Sequence, residues 1–190
     1  MVELRPDEMR ARLPQALSVY VRAMGYPDGT DRHRAPMWVE HSLRPGWRGV
    51  AAINPDDRLI AVSYGYPGSS DQWWYRQVRD GMRRGGVPAA RIDELLADYF
   101  ELTELHVDPT EQGSGIGRAL LLRLLEGVGS QRVLLSTPEV PEEANRAWRL
   151  YRSLGFDDVV RRFTFSGDRR PFAVLGRPLP IEPPAVGPVD

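Results

Sequence analysis

Residues 107–121, VDPTEQGSGIGRALL, place glycines at 113, 115 and 117 directly before a leucine-rich run. Alternating glycines let successive backbone amides turn toward one point with no Cβ in the way. A helix starting there adds the positive end of its dipole. The chemistry on offer is anion binding by Gly113, Ser114, Gly115, Ile116 and Gly117. Arg118 falls in the first turn of the expected helix, where a cation opposes the dipole unless an anion sits nearby. Gln112 opens the segment with an amide side chain suited to holding the loop in shape. A tight turn with no ligand is the plainer alternative. The Gly-x-Gly-x-Gly spacing departs from the dinucleotide pattern, and the P-loop spacing and lysine are both missing.

The stretch just upstream, YFELTELHV at 99–107, carries two carboxylates and a histidine in a strand-like composition. Alternation predicts Glu101, Thr103, Leu105 and Val107 on one face, with Leu102, Glu104 and His106 on the other. The three histidines, at 33, 41 and 106, show no metal spacing, so no metal is expected. There is no cysteine, which removes thiolate nucleophiles and disulfides. All 25 basic residues are arginine, which removes Schiff-base lysine chemistry. A net charge of −1 provides no global field for nucleic acid or an anionic membrane. The absence of cysteine gives the expectation of a cytoplasmic setting. The amino terminus, MVELRPDEMR, is too charged for a signal peptide, and no apolar run approaches membrane-spanning length.

The elements that must position these residues read as a mixed α/β sheet flanked by helices. Residues 2–5 suggest a first strand, followed by a helix from Asp7 to about Met24 with a possible kink at Pro14. A helix over 35–43 with proline in its first turn follows, then strands at 47–53 and 58–66 joined by a hairpin turn. Residues 70–97 turn helical, with a break at Gly85-Gly86-Val87-Pro88. After the strand at 99–107, a helix from about Gly115 to Glu126 leads into a short strand at 132–136. Pro141 opens another helix that Gly155 closes, and DVVRRFTF and RPFAVLGR form a final antiparallel pair. The whole reads as one domain over 1–177, with a proline-rich tail at 178–190.

Gln112-Gly113-Ser114-Gly115-Ile116-Gly117 resembles the Gln/Arg-x-x-Gly-x-Gly/Ala signature of the GNAT superfamily of N-acetyltransferases. Leu105-His106-Val107-Asp108-Pro109 is similar to the family's strand end before that loop, and Leu150-Tyr151-Arg152-Ser153-Leu154-Gly155-Phe156 to its later helix-end motif. The resemblance implies a mostly antiparallel sheet of six to seven strands, with acetyl-CoA as co-substrate and its pyrophosphate on the amides of residues 113–118. It also implies direct attack by an amine on the thioester. That requires a base, because an amine with a pKa near 10.4 is protonated at neutral pH. Glu101 is the first candidate base by its similarity in position, with Glu104 second and His106 third. A backbone N–H near His106 or Val107 is the implied donor to the carbonyl oxygen. Tyr151 sits where the family often carries a tyrosine that protonates the thiolate. The family often has asparagine seven residues before that tyrosine; here that position is Ala144, and Asn145 is displaced by one, about 100° around a helix.

Against that pattern, residues 68–97 read as an extra helical segment between the third and fourth strands. Trp73 and Trp74 within it, with Trp38, are candidate walls of an acceptor pocket, and His41 and Trp47 are placed nearby by analogy. The plainer alternative for the same segment is a homodimer interface or an extra helix completing the core. The expected activity is acetyl transfer to a primary amine of a small molecule or peptide. The alternative is a non-catalytic acyl-CoA sensor or interaction module on the same fold.

Overall fold

The computed structural model describes residues 1–181. The expected proline-rich tail therefore lies, from residue 182 on, outside the described residues. Seven strands form one sheet in the order β1-β2-β3-β4-β5-β7-β6. They are β1 (Val2–Leu4), β2 (Arg48–Ile53), β3 (Leu59–Pro67), β4 (Tyr99–Val107), β5 (Arg132–Pro138), β6 (Asp157–Phe163) and β7 (Phe172–Pro178). Every neighbouring pair is antiparallel except β4 with β5. This is the mixed, mostly antiparallel sheet with flanking helices that the sequence led us to expect.

One face of the sheet packs on α6 (Ile116–Leu125) and α7 (Arg146–Ser153) through Leu120, Leu121, Leu124 and Trp148. The opposite face carries two separate layers. The helices α1 (Pro6–Ala11), α2 (Leu13–Met24) and α3 (Thr30–Ser42) cover β1 to β3, with Leu17, Tyr20 and Trp38 packed on Val62 and Tyr64. The helices α4 (Trp73–Arg84) and α5 (Ala89–Leu96) cover the other half, with Val78, Met82 and Ile92 beside Leu134 and Val174. The segment between β3 and β4 is thus part of the core, and a gap remains between the two layers.

Three helix expectations change. The expected helix from Asp7 to Met24 is two helices that meet at Arg12 (φ −96°, ψ 6°), so Pro14 falls in a first turn, where its missing N–H costs nothing. The second helix starts at Thr30 rather than residue 35, so Pro36 lies inside it. Pro141 opens only a short 3-10 turn, because Glu142 and Glu143 adopt positive φ (52° and 54°) and break the run. The helix restarts at Arg146, capped by Asn145, whose Oδ1 accepts the Trp148 N–H at 2.9 Å.

β4 governs the rest. Its pairing with β5 runs only from Tyr99↔Arg132 to Glu101↔Leu134, after which the strands diverge. Its pairing with β3 continues to Val107↔Ala61, but the register slips between Tyr64↔Glu104 and Gly65↔Leu102. Thr103 is the extra residue of a β-bulge. The bulge corrects the predicted alternation. Phe100 and Leu102 face α6, and so do Leu105 and Val107, so the parity switches between them. Glu101, Glu104 and His106 consequently share the other face.

The bulge needs a close approach that glycine permits. A Cβ on Gly65 would stand 2.2 Å from the Glu101 carbonyl oxygen and 2.4 Å from the Phe100 ring. We expect Gly65→Ala to lower stability by about 3 kcal/mol or more, at the upper end for overpacked cores. Thermal denaturation followed by circular dichroism checks this. A melting temperature within 2 °C of the parent, at roughly 2–4 °C per kcal/mol for a chain of this size, would remove the close contact from the account.

Candidate active site

The glycine loop lies between β4 and α6 and is held from outside. Asp108, buried at the strand end, accepts hydrogen bonds from the Thr110 N–H and hydroxyl (3.1 and 2.9 Å) and from Arg22 of α2 (2.6 Å). Burial alone would raise the Asp108 pKa, but these donors outweigh it and hold it below the ordinary aspartate value. Gln112 clamps the next residues. Its Nε2 donates to the Val107 carbonyl at 3.0 Å, and its Oε1 accepts from Arg146 Nη1 at 2.8 Å. Ser114 Oγ donates to the Glu111 carbonyl at 2.6 Å, so the hydroxyl turns into the loop.

With the loop so braced, the amides of residues 113–118 have no acceptor among the described residues. Gly113 and Gly115 take φ of +92° and +85°, and a Cβ on either would meet nothing within 4 Å. The amides therefore open onto a cleft of about 860 Å³ that also contains Arg118, Arg146 and Arg149. Arg118 has no acidic partner among the described residues. Neither α6 nor α7 has an acidic residue in its first turn. Two helix N-termini, unpaired amides and three guanidinium groups give this cleft the chemistry that suits an anion. Asn145 lines the same cleft, although its Oδ1 is taken by its cap bond.

A second cleft, about 480 Å³, fills the gap between the two helical layers. The two clefts share Met24, Leu105, His106, Thr137, Pro138, Ala147 and Tyr151, and meet where β4 and β5 part. In the antiparallel ladder the Asp108 N–H bonds to Ile60 of β3 (2.9 Å), and alternation turns the His106 amide the same way. The amides of Leu105 and Val107 then face the gap. Of the backbone donors expected near His106 or Val107, His106 is thus committed to the sheet.

Glu101 is 3% exposed, and its Oε2 has no partner among the described residues. Burial lifts its pKa to about 8, against the opposing pull of Arg44; Glu104 adds to the rise. Glu104 Oε2 and His106 Nε2 lie 2.5 Å apart, and the Glu104 carbonyl accepts the Ser63 hydroxyl at 2.9 Å. Tyr151 is buried, and its phenol is pushed up in pKa by burial first and Glu104 second. Its hydroxyl therefore stays protonated and able to donate. His41, whose Nδ1 lies 3.0 Å from the Tyr64 hydroxyl, is lowered to about 4 by burial and by Arg44 and Arg34, so it is neutral at physiological pH.

Both Trp73 and Trp74 line the second cleft. Trp73 is 49% exposed and stacks on Phe165 at 5.3 Å, while Trp74 is buried and donates from Nε1 to Ser136 Oγ at 3.2 Å. Trp38 does not reach the cleft and is corrected here to a core residue, with its ring 5.7 Å from Tyr20 and 5.0 Å from Tyr64. Trp47 likewise packs beside Tyr64, at 6.1 Å, rather than at the cleft. Sequence reasoning missed Arg34, Arg44, Arg146 and Arg149. The last two gave no signal like that of Arg118, because the first-turn position of Arg146 emerges only once the helix is seen to start there rather than at Pro141. No group of three or more His, Asp or Glu side chains suited to a metal occurs among the described residues, and no helix there is long and apolar enough to cross a membrane.

The comparisons agree with this geometry. Residues 73–158 match the family model described as an acetyltransferase (GNAT) domain. The GCN5-like protein acetyltransferase Rv2170 of Mycobacterium tuberculosis is 48% identical over 95% of this chain and 98% of its own length. Among solved structures, an aminoglycoside 6'-N-acetyltransferase complexed with coenzyme A aligns with a TM-score of 0.62 at 16% identity, covering 96% of this chain and 98% of its own. The ribosomal-protein-S18-alanine N-acetyltransferase of Escherichia coli aligns at 0.59 and 18% identity, over 93% of each chain. At such identities the structures speak for the fold alone. The near full-length relative, with the glycine loop and the parted strands already described, shows that the chain belongs to the GNAT superfamily of N-acetyltransferases.

Proposed function

We propose that the protein transfers an acetyl group from acetyl-CoA to a primary amine, with the larger cleft holding the nucleotide end of the co-substrate and the smaller one the acceptor. The observation that carries the reading is the junction of the two clefts at Tyr151, with a ring of unpaired amides on one side and buried Glu101 on the other. The larger cleft suits coenzyme A. Amides 113–118 with Arg118, Arg146 and Arg149 suit a polyphosphate, and no Cβ fills the cradle. The relative from M. tuberculosis is named a protein acetyltransferase, which supports a peptide or protein amine over a small molecule as acceptor.

Acetyl-CoA supplies an activated acyl carbon and a thiolate leaving group. The protein's residues then have three tasks. Glu101, directly or through water, takes a proton from the acceptor ammonium so that its nitrogen can attack. The Leu105 and Val107 amides donate to the charge that grows on the carbonyl oxygen. Tyr151 gives its proton to the departing sulfur. Glu104, paired with His106 beside these groups, is the second candidate base.

Because the chain has no cysteine, a thiol reagent reports released CoA without a protein background. Tyr151→Phe and Glu101→Gln should each lower kcat by about 10²-fold or more, the usual contribution of a positioned acid or base. Binding of CoA without release by the parent, across a panel of amines, would favour a sensor and sink the catalytic reading.

The pH dependence has a definite sign. A base must be ionised to accept a proton, so kcat/KM should rise with pH through a limb near 8, which Glu101→Gln removes. Folding opposes ionisation of this carboxyl, since its pKa is higher folded than unfolded. Stability therefore falls as pH rises from about 4.5 to about 8, and Glu101→Gln should melt higher than the parent at pH 9. Melting curves at pH 5 and pH 9 check the second claim independently of activity.

Arg118→Ala should weaken CoA binding by about 10- to 100-fold, the value of a hydrogen bond to a charged group. Isothermal titration calorimetry reads it. Unchanged affinity would place the phosphates elsewhere.

A further inference from the structure

The acceptor cleft contains one guanidinium group that the fold does not explain. Arg34, on α3, is half-buried and lines the cleft, yet no carboxylate lies within ion-pairing distance of it among the described residues. Its contacts are weak for a partly desolvated cation. Nη1 points to Met37 Sδ at 3.7 Å, and Cζ stands 6.0 Å from the centre of the Tyr20 ring. The other arginines of the cleft are engaged. Arg170 is held by Asp168 through Nε and Nη2 (3.1 and 2.6 Å) and by the Tyr26 hydroxyl (3.0 Å). Arg44 stacks on Tyr66 at 4.5 Å and reaches Glu40 at 3.4 Å. Asp168, an acid whose field does reach Arg34, is already held by Arg170. Withdrawing a guanidinium from water without an anion is costly, and its planar fork fits a carboxylate at two points.

The same cleft holds Glu101 and Glu104, so carboxylates suited to an amine and a guanidinium line one cavity, and the fields of Glu104 and Arg34 both reach Tyr20. We infer that the acceptor carries a carboxylate near its reactive amine and that Arg34 selects for it. The inference rests on the acetyl-transfer reading for the location of the amine, but not for its test. Two sources offer this chemistry: an acidic residue beside the modified one in a peptide, and the free carboxylate of a single amino acid.

The test compares matched pairs that differ only in that charge. One arm uses capped peptides with a single lysine and an aspartate one residue before or after it, against the asparagine versions. The other uses Nα-acetyl-lysine against its amide. The parent should favour the acid member of one arm at least tenfold in kcat/KM, through KM. The ratio should fall to within twofold in Arg34→Gln and stay intermediate in Arg34→Lys, which keeps the charge and loses the fork. A preference in the peptide arm identifies the acidic-residue source; one in the other arm identifies the free amino acid. A parent ratio below twofold in both arms, or a tenfold ratio that survives in Arg34→Gln, overturns the inference while leaving acetyl transfer standing. If no amine is turned over, calorimetric binding of the same pairs to the CoA-loaded protein is judged by the same ratios. A preference found there would uphold the role of Arg34 even as the transfer reading fails.

Discussion

A strand with one edge fully paired and the other paired for only three residues leaves main-chain donors in the interior of a protein without a partner. That is the condition of β4 beyond Glu101, and the site is built around it. Buried amides are nearly always satisfied in folded chains, so an exposed row of them inside a cleft marks a place for a ligand rather than for more protein. The bulge at Thr103 works with the parting of the strands. It turns Glu101, Glu104 and His106 to the side on which the smaller cleft opens, and sends Leu105 and Val107 to the side packed on α6. One extra residue thereby decides which side chains share a cavity.

The glycine loop depends on the same arrangement at one remove. Its glycines provide conformational freedom, and that freedom would be a liability without the braces from Asp108, Gln112 and Arg146. Those braces reach the loop from α2, from β4 and from the start of α7, three elements distant in sequence. The amides are thus set in place by the protein itself, and preorganised donors of this kind lower the cost of binding an anion. Both helices that point at the larger cleft begin without acidic residues, so no internal carboxylate competes for the positive ends of their dipoles.

Much of this was legible in the residues. Glycine and proline specify backbone conformation locally, so the loop at 113–117, the hairpin between β2 and β3 and the break between α4 and α5 could be read in place. The faces of β4 could not. Strict alternation separates Glu101 from Glu104, and the slip that reunites them comes from cross-strand register, where Gly65 admits the Glu101 carbonyl and the Ser63 hydroxyl holds that of Glu104. Those partners lie about 40 residues away in the chain, beyond any local pattern. The start of α7 was missed for a related reason. Glu143 is drawn to Arg152 and Arg161, and that ion pairing accompanies a left-handed turn which composition would not suggest. Trp38 shows the limit of arguing from residue type alone, since a tryptophan near a cleft and a tryptophan under it look the same in sequence.

Every cation that borders the two clefts is a guanidinium. Guanidinium keeps its proton at any physiological pH, so it attracts anions without offering a nucleophilic nitrogen. A catalyst that acylates amines, built with ammonium groups on its own walls, would slowly consume itself and lose charge where it needs it most. Here the scaffold is chemically inert to the reaction proposed for it, apart from the amino terminus of the chain. Its electrostatic character should survive long exposure to activated acyl donors that would erode a lysine-rich homologue.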